Sequence, residues 1–162
     1  MIRISRLTDY GIVLLSHMAT QPGQAQSAAD LALALRLPLP TVSKLLGLLS
    51  RAGLLESQRG AKGGYALSAT PAAIPIIQIV EALEGPVALT LCSSDAASDC
   101  EYEGLCSLPV HWKRINGAIR AALEGISLAE IVAPQLGMVD GGRVAPASRP
   151  NKGRTSLSEE GL

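Results

Sequence analysis

Apolar residues recur at helical spacing over the first 52 positions, and each run is closed by residues that break a helix. Between Leu7 and Ala19, the positions Ile12, Leu15 and Ala19, with Val13 and Leu14 beside them, predict a helix with a wide buried face, and Gln21-Pro-Gly-Gln ends it. Ser27-Ala-Ala-Asp30 has the form of a capping box, with Asp weakening the reciprocal half, and opens a second helix to about Leu35. Leu37-Pro-Leu-Pro40 leads into a third helix, Thr41 to Ala52, closed by Gly53. There Val42, Leu45, Leu46 and Leu49 fall at i, i+3, i+4 and i+7, one continuous stripe for the core. The opposite face presents Thr41, Lys44, Leu48 and Arg51, with Ser43 at its border.

The pattern then shortens. Leu54-Leu-Glu-Ser-Gln-Arg59 predicts a strand, Gly60-Ala-Lys-Gly-Gly64 a turn, and Tyr65-Ala-Leu-Ser68 a returning strand. Three glycines in five residues permit positive φ and let backbone N–H groups approach a partner. Ala73 to Glu84 continues as a helix, irregular around Pro75 and stopped by Gly85-Pro86, and Val87 to Leu91 reads as a short extended segment. Residues 92–106 form a polar loop holding every cysteine of the chain. A helix returns from His111 to Leu123, with Trp112, Ile115, Ile119 and Leu123 (or Ala122) at heptad-like spacing. Little chain is left to cover that stripe, which favours a partner helix from a second copy over packing against the first helix. Ser127-Leu-Ala-Glu130 is another capping box, opening a short helix to about Val132, and beyond Gly137 the composition is that of a disordered tail.

Two short helices joined tightly, the second exposing hydroxyls and cations, meet the needs of a helix-turn-helix, whose recognition helix buries one side and offers the other to bases and phosphates. A basic hairpin directly after it makes a winged helix. The expected fold is mainly α: a winged helix-turn-helix with a two-stranded wing, a cysteine loop and a long C-terminal dimerisation helix. The regions are 1–70 for DNA binding, 71–91 as connecting helix and extended segment, 92–108 as cysteine loop, 109–133 as dimerisation and terminal helices, and 134–162 as tail. Candidate DNA contacts are Thr41, Ser43, Lys44 and Arg51 on the third helix and Arg59 and Lys62 on the wing. A plain helical hairpin with a solvated face, or a winged helix that binds protein, is the competing reading.

Composition sharpens this. The 162 residues are 48% hydrophobic with three Tyr, one Trp and no Phe, so the core is built from Leu, Ile, Val and Ala, and Ala and Leu are strong helix formers. No apolar run reaches the roughly 18 residues that cross a bilayer; the greasiest stretch, 73–92, is broken by Pro75, Gln78, Glu81, Glu84 and Pro86. With no cleavable leader in Met1-Ile-Arg-Ile-Ser-Arg, the expectation is a soluble cytoplasmic protein that engages no membrane. A net charge of zero hides an asymmetry. Residues 1–65 carry seven Lys/Arg against three acids, 7 − 3 = +4, and residues 66–136 carry three against eight, 3 − 8 = −5. The basic first part suits a polyanion, the acidic middle does not. Two histidines, no Ser/His/Asp grouping and no phosphate loop argue against an enzyme and against a small-molecule substrate.

Cys92, Cys100 and Cys106 are too few and too odd in number for a disulfide framework. Structural zinc prefers closer pairs and a clear fourth ligand, an iron–sulfur cluster accepts longer intervals, and isolated cysteines are often small buried hydrophobes. Three in fifteen residues among Ser, Asp and Glu favour a ligand set. His111, five residues after Cys106, and Asp9 are candidates for a fourth ligand, while His17 reads as structural.

Leu7-Thr-Asp-Tyr-Gly11, Ala52-Gly-Leu-Leu, Ser57-Gln-Arg-Gly-Ala-Lys-Gly-Gly-Tyr65, Ala82-Leu-Glu-Gly85 and the three cysteines resemble the Rrf-two family of winged-helix regulators, from about residue 1 to 133. The loop ending near His-Trp-Lys-Arg-Ile-Asn116 is most similar to regulators of the SUF iron–sulfur assembly system, with the Isc regulator and nitric-oxide-sensing repressors as relatives. The resemblance implies a homodimer on a double-stranded, pseudo-palindromic operator, acting as a repressor of cluster-assembly genes. It implies that Cys92, Cys100 and Cys106 hold a 2Fe–2S or 4Fe–4S cluster that alters DNA affinity. The Isc-type histidine ligand falls here on Pro109, whereas Asp9 lies where the nitric-oxide-sensing relatives supply an acidic ligand across the dimer, so Asp9 is favoured over His111. A thiol redox switch or a zinc site on a cluster-free regulator is the alternative.

Overall fold

The computed structural model describes residues 3–60, 63–93, 100 and 106–133. Helix α1 (Arg6–Ala19) opens at Ser5, whose hydroxyl accepts from the Thr8 N–H, and buries Leu14, Leu15 and Met18. Helix α2 (Ala28–Leu35) is capped by Ser27 as expected, with the Asp30 N–H donating to the Ser27 hydroxyl at 3.1 Å. Helix α3 (Leu39–Arg51) begins two residues earlier than the sequence reading placed it, because Pro40 sits in the first turn, where no N–H is needed. Its stripe of Val42, Leu45, Leu46 and Leu49 is fully buried.

Strands β1 (Leu55–Gln58) and β2 (Gly64–Leu67) pair antiparallel, Leu55 opposite Leu67 and Gln58 opposite Gly64. A further bridge pins this wing to the body: Gln26 and Tyr65 exchange both backbone hydrogen bonds at 2.9 Å. Two of the wing glycines therefore serve the hairpin itself. A Cβ on Gly64 would stand 2.5 Å from the Gln26 carbonyl oxygen, and one on Gly63 would stand 2.4 Å from that of Gln58. The tip residues 61 and 62, and with them Lys62, lie outside the described residues.

The expected helix 73–84 is split. A 3-10 turn at Pro71–Ala73 is followed by an extended Ile74, and helix α4 runs Ile76–Glu84. The reason is a distant partner. Ile76 N–H donates to the Ile126 carbonyl (2.9 Å) and Leu128 N–H to that of Ile74 (2.8 Å), a bridge around Pro75 and Ser127 that holds the C-terminal segment on the body. Helix α5 (Pro109–Glu124) starts two residues early, again on a proline, and helix α6 (Leu128–Val132) carries the complete capping box of Ser127 and Glu130. Helix α6 packs on α1, with Leu128 fully buried. Core side chains from α1, α2, α3, α4, α6 and the first strand thus form one cluster. Among the described residues no helix is long and apolar enough to cross a membrane.

Val87 to Leu91 forms no strand pairing among the described residues; Leu91–Ser93 is a 3-10 turn laid on α5. Helix α5 runs along α4. Its apolar stripe divides: Trp112, Ile119 and Leu123 are half-buried, while Ile115 (46% exposed) and Val110 (75%) face outward.

Candidate nucleic-acid interface and cysteine arm

The outer face of α3 is built by its inner one. With Val42, Leu45, Leu46 and Leu49 committed to the core, helical geometry leaves Ser43, Lys44 and Arg51 exposed and Thr41 half-buried on the flank. The turn into this helix is tight. Arg36 takes a left-handed conformation (φ 54, ψ 36), its N–H donating to Leu33 and the Leu37 N–H to Ala32, a helix-ending arrangement that usually employs glycine. Arg36, counted in the basic first part of the chain but not among the candidate contacts, is an exposed cation just before α3. The one signal available was a basic residue immediately before Leu37-Pro38 where a glycine would be ordinary. Arg59 is exposed at the end of β1, and the Gln26–Tyr65 bridge holds the wing against the helical body. Four described cations, Arg36, Lys44, Arg51 and Arg59, therefore lie on the turn, the outer face of α3 and the wing.

Residues of two of the motifs that carry the resemblance, Leu7–Gly11 and Ala82–Gly85, tie α1 to α4. Thr8, fully buried, donates to Glu84 Oε1 at 2.6 Å, and the Ser5 N–H donates to the same oxygen at 2.7 Å. These bonds, the Thr8 hydroxyl foremost, hold the Glu84 carboxyl below its ordinary value of 4.5. Gly11 completes the joint: a Cβ there would meet Leu83 Cδ1 at 2.4 Å.

The cysteines fall within residues 87–106, an arm of which the described stretch 87–93 lies against α5. Its anchor is Asn116, the buried residue of that helix. The Asn116 side chain accepts from the Leu89 N–H (3.2 Å) and donates to the carbonyls of Val87 (3.0 Å) and Ser93 (3.4 Å). Ser93 and Thr90 close a small turn on themselves, the Thr90 N–H donating to Ser93 Oγ at 3.0 Å and that hydroxyl donating to the Thr90 carbonyl at 2.8 Å. Cys92 is half-buried within this turn, its sulfur 3.3 Å from Thr90 Oγ1. Cys100 is half-buried, and Cys106 is exposed and accepts from the Leu108 N–H at 3.4 Å. Residues 94–99 and 101–105 lie outside the described residues. Farther along α5, Arg120 pairs with Glu81 at 2.5 Å, joining it to α4.

Thiol sulfurs, of which that of Cys106 accepts a backbone hydrogen bond, fit the chemistry of a thiolate-held iron–sulfur cluster. Yet among the described residues no three His, Cys, Asp or Glu side chains are gathered where a metal could be held. Asp9 is exposed on the first turn of α1 and His111 on the first turn of α5, and the structure brings neither together with the three thiols as a ligand group.

Comparison with known proteins agrees with this architecture. A family model described as "Rrf2: Iron-dependent Transcriptional regulator" matches residues 4–134. An HTH-type transcriptional regulator of Neisseria meningitidis serogroup B is 35% identical over 143 residues, covering 86% of this chain and 95% of its own. A further HTH-type regulator, of Azotobacter vinelandii, is 33% identical and covers 79% of both. Among solved structures, CymR, the global cysteine regulator of B. subtilis, is 29% identical with a TM-score of 0.63, covering 82% of this chain and 97% of its own. IscR of T. potens is 26% identical with a TM-score of 0.58, covering 81% and 86%.

Proposed function

The chain belongs to the Rrf2 family of HTH-type transcriptional regulators, and from that premise we propose that it is a homodimeric repressor whose grip on DNA is set by its cysteine arm. In this reading α3 enters the major groove with Thr41, Ser43, Lys44 and Arg51, Arg59 and Lys62 of the wing track the neighbouring groove, and α5 pairs two copies through its outward side chains. Recognition helices of a dimer address half-sites about one helical turn, roughly 34 Å, apart, so any shift of α5 is felt at both. Its place is beside the DNA in the cytoplasm, and it turns over no substrate.

The finer reading is that Cys92, Cys100 and Cys106 hold an iron–sulfur cluster, with Asp9 rather than His111 as fourth ligand, and that the genes controlled are those of SUF cluster assembly. The Asp9 of a second copy would make good the ligand group that one chain leaves incomplete. Such a group supplies thiolate-ligated iron whose charge and presence follow the cell's iron and oxidants. The observation that carries this proposal is the Asn116 anchor, which fastens the segment bearing Cys92 to the surface of α5. A second reading, a cluster-free thiol switch, draws on the likeness to CymR, named a cysteine regulator in B. subtilis and solved in an oxidised form from Staphylococcus aureus, and on the ungathered ligand set.

Visible absorption and the iron-to-sulfide ratio of anaerobically purified protein, beside Cys100→Ala, separate the two. Brown protein bleached in the variant is expected. Colourless protein that cannot be reconstituted, with an operator affinity that still changes on thiol oxidation, would overturn the cluster reading and leave the regulator standing.

A further inference from the structure

Gly47 lies in the middle of α3 on the side away from the core, half-buried in a row between the exposed Lys44, three residues before it, and Arg51, four after it. A glycine inside a helix weakens it relative to alanine, so its presence calls for a reason. Gly117, inside α5, also has open space around it, while the other glycines of the head and the wing have such a reason. Gly11 admits Leu83, Gly63 and Gly64 pass close to backbone oxygens, and Gly53 and Gly60 have φ of +77 and +120. Gly47 has neither a positive φ nor a tight neighbour. A Cβ there would meet only the tip of the Arg51 side chain, at an ordinary 3.6 Å. Nothing within the chain accounts for the missing methyl.

The composition of α3 supplies the rest. Leu39–Arg51 contains no Asn, Gln, Asp or Glu, and its single Arg is the last residue. The amide and carboxylate side chains that read adenine or cytosine are thus missing from α3, Lys44 is the one long donor in its first twelve positions, and the other polar groups near its start are the short hydroxyls of Thr41 and Ser43. Short hydroxyls reach base edges only if the helix itself lies deep. We propose that Gly47 is a specificity-determining position. Its bare backbone lets α3 settle closer to the floor of the major groove, with Lys44 and Arg51 on flanking phosphates, so that Thr41 and Ser43 can read bases. This rests on α3 being the recognition helix.

The test uses the full chain and a duplex selected by the unaltered protein from a random pool. Gly47→Ala is expected to raise Tm by about 2–4 °C and to weaken binding to the selected duplex by about tenfold or more. The loss on an unrelated duplex should be smaller, because phosphate contacts carry no sequence information. Binding by Gly47→Ala within twofold of the unaltered protein, or a lowered Tm, overturns the proposal; the second result would mean that the glycine serves the fold. If no duplex is enriched and Lys44→Ala leaves DNA affinity and its salt dependence unchanged, the recognition-helix reading has itself failed, and the proposal with it.

Discussion

The winged-helix head and the cysteine arm with α5 are held by different forces. In the head, Leu14, Leu15, Leu31, Val42, Leu45, Leu46 and Leu49 are shut off from solvent, and apolar burial does most of the work. On α5, the buried residue is an asparagine, and the arm over it is fastened by hydrogen bonds while Val110 and Ile115 stay exposed. A region closed by burial is complete in one chain. A region held by a few polar bonds, with apolar residues left outside, is stable enough to be shaped and weak enough to be reset.

The largest effect expected from that contrast is in the head. Leu46→Ala should cost about 2–5 kcal/mol of global stability, seen as a lower urea midpoint. A cost under 1 kcal/mol would show that the head is not the cooperative core. Next comes Asn116→Ala, which strands the Leu89 N–H and the Val87 and Ser93 carbonyls. It should loosen the arm locally by about 1–3 kcal/mol, as faster amide exchange over residues 87–93, with little change in the unfolding midpoint of the head. An equal drop in both would erase the distinction between the two regions. Ser127→Ala removes a cap from α6, which packs on α1, and should lower global stability by about 1 kcal/mol; exchange confined to α6 would instead make that helix part of the loose region.

The smallest effect concerns pH. The folded Glu84 carboxyl is held below its ordinary 4.5, so its hydrogen bonds to Thr8 and Ser5 add stability above that pH, and the contribution fades as pH falls below 4.5 and the group protonates. Thr8→Val should flatten the acid limb of a stability–pH curve. An unchanged limb would mean that the α1–α4 joint owes nothing to the charge of Glu84.

The head was legible because its order is written locally. The i, i+3, i+4, i+7 stripe of α3, the turn-punctuated wing and the capping box at Ser127 each lie within a dozen residues. What escaped was non-local. Nothing near Pro75 announces that Ile74 will turn extended to meet Leu128 fifty residues on, and the helix read across 73–84 broke there. The wing glycines were expected to free backbone N–H groups for a partner, but Gly64 makes room for Gln26, a contact visible only once the wing has docked. Asn116 showed no sign of burial in the periodicity: one polar residue among several on an amphipathic helix looks like surface until the arm is laid over it. The cysteines are a different case: spacing puts three of them on one segment, but among the described residues no three His, Cys, Asp or Glu side chains are gathered where a metal could be held.

The stitch between Ile74–Ile76 and Ile126–Leu128 has a mechanical consequence. It fastens the far end of the long helix to the head, while the Asn116 bonds fasten its middle to the arm. A rod pinned at one end, gripped at its centre and tied to α4 by Arg120 and Glu81 cannot hinge away from the body; once those polar bonds are undone, it can roll about its own axis. Each residue step on an α-helix is about 100° of turn, so even a partial roll exchanges the side chains offered outward, bringing the row of Ile119 round in place of that of Ile115. If two copies pair through this helix as proposed, a change at the cysteines that undid those bonds would reach the second copy as a change of gear teeth, not as a release.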